Sequence, residues 1–157
     1  MLGIAVVVVV ADQLSKAWAL SALASGHVVP LLSRFLQLRL VHNPGAAFSL
    51  GERLTWVITT AAVVVCIALL VLARRGLSGW WWAVTIGCLL GGAVGNLIDR
   101  LIRPPAIGRG HVVDFIDYNG FFVGNIADIA IVGAAAVLIV LSQRDVPMHP
   151  PAPAQEG

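Results

Sequence analysis

The sequence predicts a mainly α-helical membrane protein: four spanning helices carrying a small extracytoplasmic β-sheet and a short amphipathic segment. Three observations predict it. Of 157 residues, 59% are hydrophobic and only 11% charged, far more apolar than a soluble domain of this length, and the mean hydropathy is +0.90. The apolar residues gather into four runs long enough to cross a hydrocarbon layer of about 30 Å. Between the first two runs, Leu36-Gln37-Leu38-Arg39-Leu40 alternates at the period of a strand with one buried face.

The first run, Leu2 to Leu23, is broken only by Asp12, Gln13, Ser15 and Lys16. It lacks the basic leader and small-residue cleavage site of a signal peptide, so it is expected to remain as a spanning helix. Asp12 and Lys16 are four apart and share a helical face, where pairing lowers the cost of carrying both into lipid. Read structurally, they are an ion pair facing the bundle.

Leu36 to Leu40 is expected to lie as a strand on the membrane surface. His42-Asn43-Pro44-Gly45 then has the composition of a turn, and Ala46-Ala47-Phe48-Ser49-Leu50 can return the chain to the bilayer as an amphipathic segment. The second run, Leu54 to Ala73, is free of charge. Arg74-Arg75-Gly76-Leu77-Ser78-Gly79 makes a tight basic turn, and Trp80-Trp81-Trp82 marks the interface before a third span ending near Ile98. Phe121 to Leu141 is the fourth. One membrane domain over 1–144 is expected, with spans at about 2–23, 54–73, 80–98 and 121–141 and a Pro-rich, disordered cytoplasmic tail over 145–157. Arginine density in the short turn, with Arg144 after the fourth span, favours cytoplasmic termini.

The net charge of +2 is small and scattered, and no basic run is interleaved with aromatics, so nucleic acid is not an expected partner. Cys66 and Cys88 lie inside apolar runs without CxxC spacing, and His27, His42, His111 and His149 have no ligand spacing. Neither a metal nor another cofactor is expected.

Chemistry therefore rests on the acids. Asp12, Asp99, Asp114 and Asp128 sit in or beside apolar stretches, where a carboxylate needs a reason. Asp114 is placed in the last outer loop and Asp128 near the start of the fourth span, about 9 Å along it if the span begins near Phe122, with Asn125 one turn above. Two carboxylates meeting at low dielectric cannot both ionise easily, so the pair shares a proton. That suits peptide hydrolysis without a metal or covalent intermediate: the ionised member activates a water and the protonated one polarises the scissile carbonyl. Asn43, Asn96, Arg100 and Asn125 are candidate donors for an extended substrate backbone. Gly87, Gly91 and Gly95 form a stripe for close helix approach. Asn96, Asp99 and Arg100 follow it, and Asp99 reads equally as a partner of Arg100 or a loop arginine and as a substrate ligand. Ser49 and Ser142 have no identifiable His-Asp partners for nucleophilic catalysis.

Taken together, Asp12-Gln13-Leu14-Ser15-Lys16, Asn43-Pro44-Gly45-Ala46-Ala47-Phe48, Gly91-Gly92-Ala93-Val94-Gly95-Asn96-Leu97-Ile98-Asp99-Arg100, Val113-Asp114-Phe115-Ile116 and Asn125-Ile126-Ala127-Asp128 resemble the lipoprotein signal peptidase (signal peptidase II) family from residue 12 to about 130. The resemblance implies an aspartic peptidase of the bacterial cytoplasmic (inner) membrane that removes the signal peptide of diacylglyceryl-modified prolipoproteins just before the lipidated Cys. Asp114 and Asp128 match its catalytic pair. Asn43, Asn96, Arg100 and Asn125 match positions lining the site, which globomycin-type inhibitors also occupy; Asp12, Lys16, Gly45 and Asp99 match supporting positions. The strand and amphipathic segment look like the family's cradle and lid, the site faces the extracytoplasmic side, and a monomer in contact with membrane lipid is expected. Three departures stand out: a longer interval from Asp99 to Asp114, Gly124 where Phe is usual, and no short cytoplasmic leader before the first apolar run.

Two other classes share the intramembrane acids. A transporter or proton conductor would favour repeated halves and midplane carboxylates, whereas these halves look unlike. In a non-catalytic assembly factor the buried charges would serve only to specify helix pairing.

Overall fold

Backbone in lipid must satisfy its hydrogen bonds internally, so long apolar runs become helices. The computed structural model describes residues 1–45 and 55–150. Its helices are α1 (Leu2–Ala22), α2 (Thr55–Arg74), α3 (Gly79–Ile102) and α4 (Ile126–Gln143). All four are long and apolar enough to cross a membrane. Val7, Leu14, Val64, Ile67, Val132 and Ile139 are exposed on them, as side chains facing lipid are. The chain is a multi-pass membrane protein.

α3 is central and packs against α1, α4 and α2. The glycine stripe is where α1 comes close: a Cβ on Gly91 would lie 2.7 Å from the Val8 Cβ and 2.8 Å from the Ala5 carbonyl oxygen. Gly92 serves the opposite face, where a Cβ would lie 2.6 Å from the Ala127 oxygen of α4.

The surface sheet has four antiparallel strands in the order β1 (Val29–Leu32), β2 (Leu36–Asn43), β3 (Val112–Tyr118) and β4 (Phe122–Gly124). It rests on the C-terminal end of α1, where Ala19, Leu23 and Phe115 are buried against Leu38, Leu40 and Ile126. A register shift between Leu38 and Val41 sets Val41 opposite Asp114 and Asn43 opposite Val112. Asn43 and Asp114 are thereby diagonal neighbours on one face.

Three local readings of the sequence change. Asp114, expected in a loop, lies within β3, because β2 supplies the pairing edge that its apolar neighbours need. The fourth helix begins at Ile126 rather than near 121: Asn119 and Gly120 turn at φ 58° and 76°, and Phe122–Gly124 pairs with β3. Residues 145–150, in the expected disordered tail, dock on the α2–α3 turn: Ser78 N donates to Met148 O at 2.7 Å and His149 Nδ1 to Gly76 O at 2.6 Å. The expected amphipathic segment at 46–50 and the tail's last residues, 151–157, lie outside the described residues.

The long interval between α3 and β3 folds back on the helix end. Gly110 N donates to Arg100 O at 3.0 Å, and Thr59 Oγ1 of α2 donates to Gly108 O at 2.8 Å. A side chain at Gly110 would collide with the carbonyl of Asp99.

Candidate active site

The site grows from one polar layer across the bundle. Asp12 and Lys16 sit a turn apart on α1 and pair at 2.8 Å, as their spacing implies, and Lys16 Nζ also lies 2.8 Å from Asp99 Oδ2. The side chains of all three are fully buried. Asp99 accepts further bonds from Arg103 Nε at 2.6 Å and Val113 N at 3.1 Å. Its cationic partners are therefore Lys16 and Arg103, not Arg100. Removing one member of such a cluster costs about 3–5 kcal/mol, because it strands a buried charge.

The start of α4 faces this layer. Asn125 caps the helix, its Oδ1 accepting from Asp128 N at 3.1 Å while Asp128 Oδ2 accepts from Asn125 N at 3.1 Å, a reciprocal capping box. Asp12 Oδ1 takes the next free amide, Ala127 N, at 3.0 Å. Helix-end amides left without intrahelical partners are thus satisfied by carboxylates.

Asparagines join the acids. Asn125 Nδ2 donates to Asp114 Oδ1 at 2.7 Å, and Asn43 Nδ2 to Asp114 Oδ2 at 2.8 Å. Asn96 Nδ2 donates to Asp128 Oδ1 at 2.9 Å. Asn125 therefore spans both carboxylates, by its amide to Asp114 and its backbone to Asp128. Burial pushes the Asp114 carboxyl up to about 6, with the Asp128 charge adding to the rise; Asn43, Asn125 and the Lys16 charge oppose it.

Arg100 is 8% exposed and lies in the field of Asp114, Asp99 and Asp128. Its Nη1 is buried without a hydrogen-bond partner among the described residues. Gly45 turns at φ +117°, with its N–H 2.8 Å from Asn43 Oδ1 and no room for a side chain against Ile58. Every residue proposed for the site thus falls in or against one network, with Arg100 the member whose donor is left open.

Two grooves open on it. One, of about 580 Å³, runs beside Asp128 over Ile129, Val132 and Tyr118; the other, of about 290 Å³, runs beside Asp114 along His42 and Pro44. Phe121 and Phe122, from the β3–β4 hairpin, line both. The sequence reading gave Gln13 no role and did not expect this hairpin, whereas Arg103 is a loop arginine of the kind it allowed as a partner of Asp99. Gln13 Nε2 lies 3.0 Å from Gly95 O and 3.1 Å from Asp12 Oδ2. Arg103 was findable, being one turn after Asp99, and so was Asp117, which β-pairing sets opposite Gln37.

The family described as signal peptidase (SPase) II matches residues 4–144. A lipoprotein signal peptidase of Bifidobacterium longum subsp. infantis is 44% identical over 138 residues, 88% of this chain and 75% of that one. One from Rhodococcus jostii is 45% identical over 139 residues, 88% of this chain and 70% of its own. Among solved structures, a bacterial membrane enzyme determined by the in meso method at 1.9 Å superposes with a TM-score of 0.75 at 30% identity, over 91% of this chain and 92% of that one.

Proposed function

The chain belongs to the signal peptidase II family, and from that premise we propose that it is an aspartic endopeptidase of the bacterial cytoplasmic membrane, cleaving the signal peptide of diacylglyceryl-modified prolipoproteins just before the lipidated Cys. The observation that carries the reading is the single asparagine, Asn125, holding Asp114 and Asp128 together.

In this reading the pair shares one proton around a water. The ionised carboxylate takes a proton from that water as it attacks the scissile carbonyl, while the protonated one donates to the carbonyl oxygen; the roles reverse as the amine leaves. An Asp114 group near 6 supports the sharing, because it can both hold and release a proton close to neutral pH. Arg100, buried with an open donor, is suited to the substrate backbone or the developing oxyanion. Asn43, Asn96 and Asn125 hold the carboxylates, and Asn43 and Asn125 also line the grooves. The apolar groove beside Asp128 offers a wall for an acylated substrate, and a globomycin-type peptide would compete for the same room. No metal or other cofactor is required, and the chain is taken to act as a monomer.

The test is cleavage by purified Asp114→Asn and Asp128→Asn in detergent, with and without prior diacylglyceryl modification of the prolipoprotein. Each variant should remain folded and lose at least about a thousandfold in rate. Near-normal cleavage by either sinks the dyad.

A further inference from the structure

Lys16 lies outside the carboxylate pair, yet all three of its donors are committed. Two go to Asp12 Oδ2 and Asp99 Oδ2 at 2.8 Å each, and the third to Asn96 Oδ1 at 2.9 Å. An ammonium can only donate, so the Asn96 atom facing it must be the carbonyl oxygen. Asn96 Nδ2 is thereby turned the other way, onto Asp128 Oδ1 at 2.9 Å. The same Asn96 oxygen accepts from Asn125 Nδ2 at 3.2 Å, the amide that donates to Asp114 Oδ1 at 2.7 Å and whose oxygen takes Asp128 N. Asn125 is already oriented by the Asp128 N–H on its oxygen, so the side chain whose flip Lys16 forbids is Asn96.

We propose that Lys16 is a positioning residue: through Asn96 it sets the direction of the amide that donates to Asp128, and so holds the pair ready for the reaction proposed above, on which this inference rests. Charge balance alone does not account for the third bond. Asp99 already has Arg103 Nε and Val113 N, and Asp12 has Gln13 Nε2 and Ala127 N. The other flank repeats the device with a backbone group: Gly45 N pins Asn43 Oδ1 at 2.8 Å, and Asn43 Nδ2 is delivered to Asp114 Oδ2 at 2.8 Å. Each asparagine amide that donates to Asp114 or Asp128 has its oxygen held by a group that can only donate.

The experiment compares steady-state cleavage of a diacylglyceryl-modified prolipoprotein by purified Lys16→Met, Lys16→Gln and the charge-balanced pair Lys16→Met with Asp99→Asn, alongside thermal unfolding of each. Folded variants should show kcat lowered about 10- to 100-fold with KM within about twofold, since the carboxylates rather than the grooves are disturbed. In an Asn96→Ala background, Lys16→Met should add less than about threefold, because its effect passes through that amide. Near-normal kcat in a folded variant, losses that multiply in that background, or failure of all three variants to fold would each overturn the proposal. Asp114→Asn and Asp128→Asn in the same assay keep the two questions apart. Cleavage by these would defeat the peptidase reading, whereas their inactivity beside an active Lys16→Met would defeat only the role of Lys16.

Discussion

At the scale of single residues, Asp114 is held against its own solvation. Its carboxyl is 2% exposed, and its pKa is raised from 3.8 to about 6, chiefly by burial. A carboxyl whose folded value lies above its unfolded value adds stability that is fully present below about pH 4 and is lost as pH rises through about 6. The swing is on the order of 3 kcal/mol. Asp114→Asn cannot titrate, so its thermal midpoint, measured against wild type in detergent, should gain a few degrees between pH 4 and pH 7.5 and then level off. A difference that stays constant with pH removes Asp114 as the source. Asp114 and Asp128 were legible in the sequence because an acid beside an apolar run is conspicuous. Gln13 was not, because a lone amide inside a span has no visible role until the helix that faces it, here α3 with its Gly95 carbonyl, is known.

At the scale of elements, the glycine stripe and the β3–β4 hairpin show what a pattern can and cannot announce. Gly87, Gly91 and Gly95 were readable as a close-approach surface, but not that α1 is the helix approaching or that Gly92 receives α4. Replacing a helical glycine by alanine ordinarily stabilises by about 0.5–1 kcal/mol. Gly133→Ala, with nothing within 4 Å of its new Cβ, should behave so. Gly91→Ala should instead destabilise by about 1–3 kcal/mol, because the backbone oxygen of Ala5 cannot move aside alone. Equal midpoints for the two variants would show that α1 and α3 can separate freely. The hairpin hid inside an apolar run whose continuity imitated the start of a span. Its anchor is Asp117, whose carboxyl burial would raise but which Gln37, Gly120 N and the Arg39 guanidinium hold below the usual range. That anchorage is therefore complete at neutral pH and is released as pH falls through the folded value, opposite in sign to Asp114.

At the scale of the whole molecule, the proposed orientation places the sheet and the carboxylate pair outside the cytoplasm, although the raw arginine count argues against it. By sequence Arg34, Arg39, Arg53, Arg100, Arg103 and Arg109 belong to the loops of the sheet end, against Arg74, Arg75 and Arg144 at the other. The fold alters the weight of that count. Arg100 is buried, and Arg39 and Arg103 are taken up by Asp117 and Asp99, leaving Arg34 and Arg109, with Arg53 outside the described residues, against three concentrated at the end where the α2–α3 turn meets Met148 and His149. Unengaged arginines packed close to span ends are those that retain a loop in the cytoplasm. With Cys66 and Cys88 replaced by alanine, Ile107→Cys, at a position 88% exposed in the interval before β3, should react with a membrane-impermeant maleimide applied to right-side-out spheroplasts. Gln143→Cys, at the end of α4, should react only after lysis. The reverse pattern would put the carboxylates on the cytoplasmic face, where a signal peptide that has already crossed the membrane does not present its cleavage site, and the proposed substrate would have to be abandoned along with the orientation.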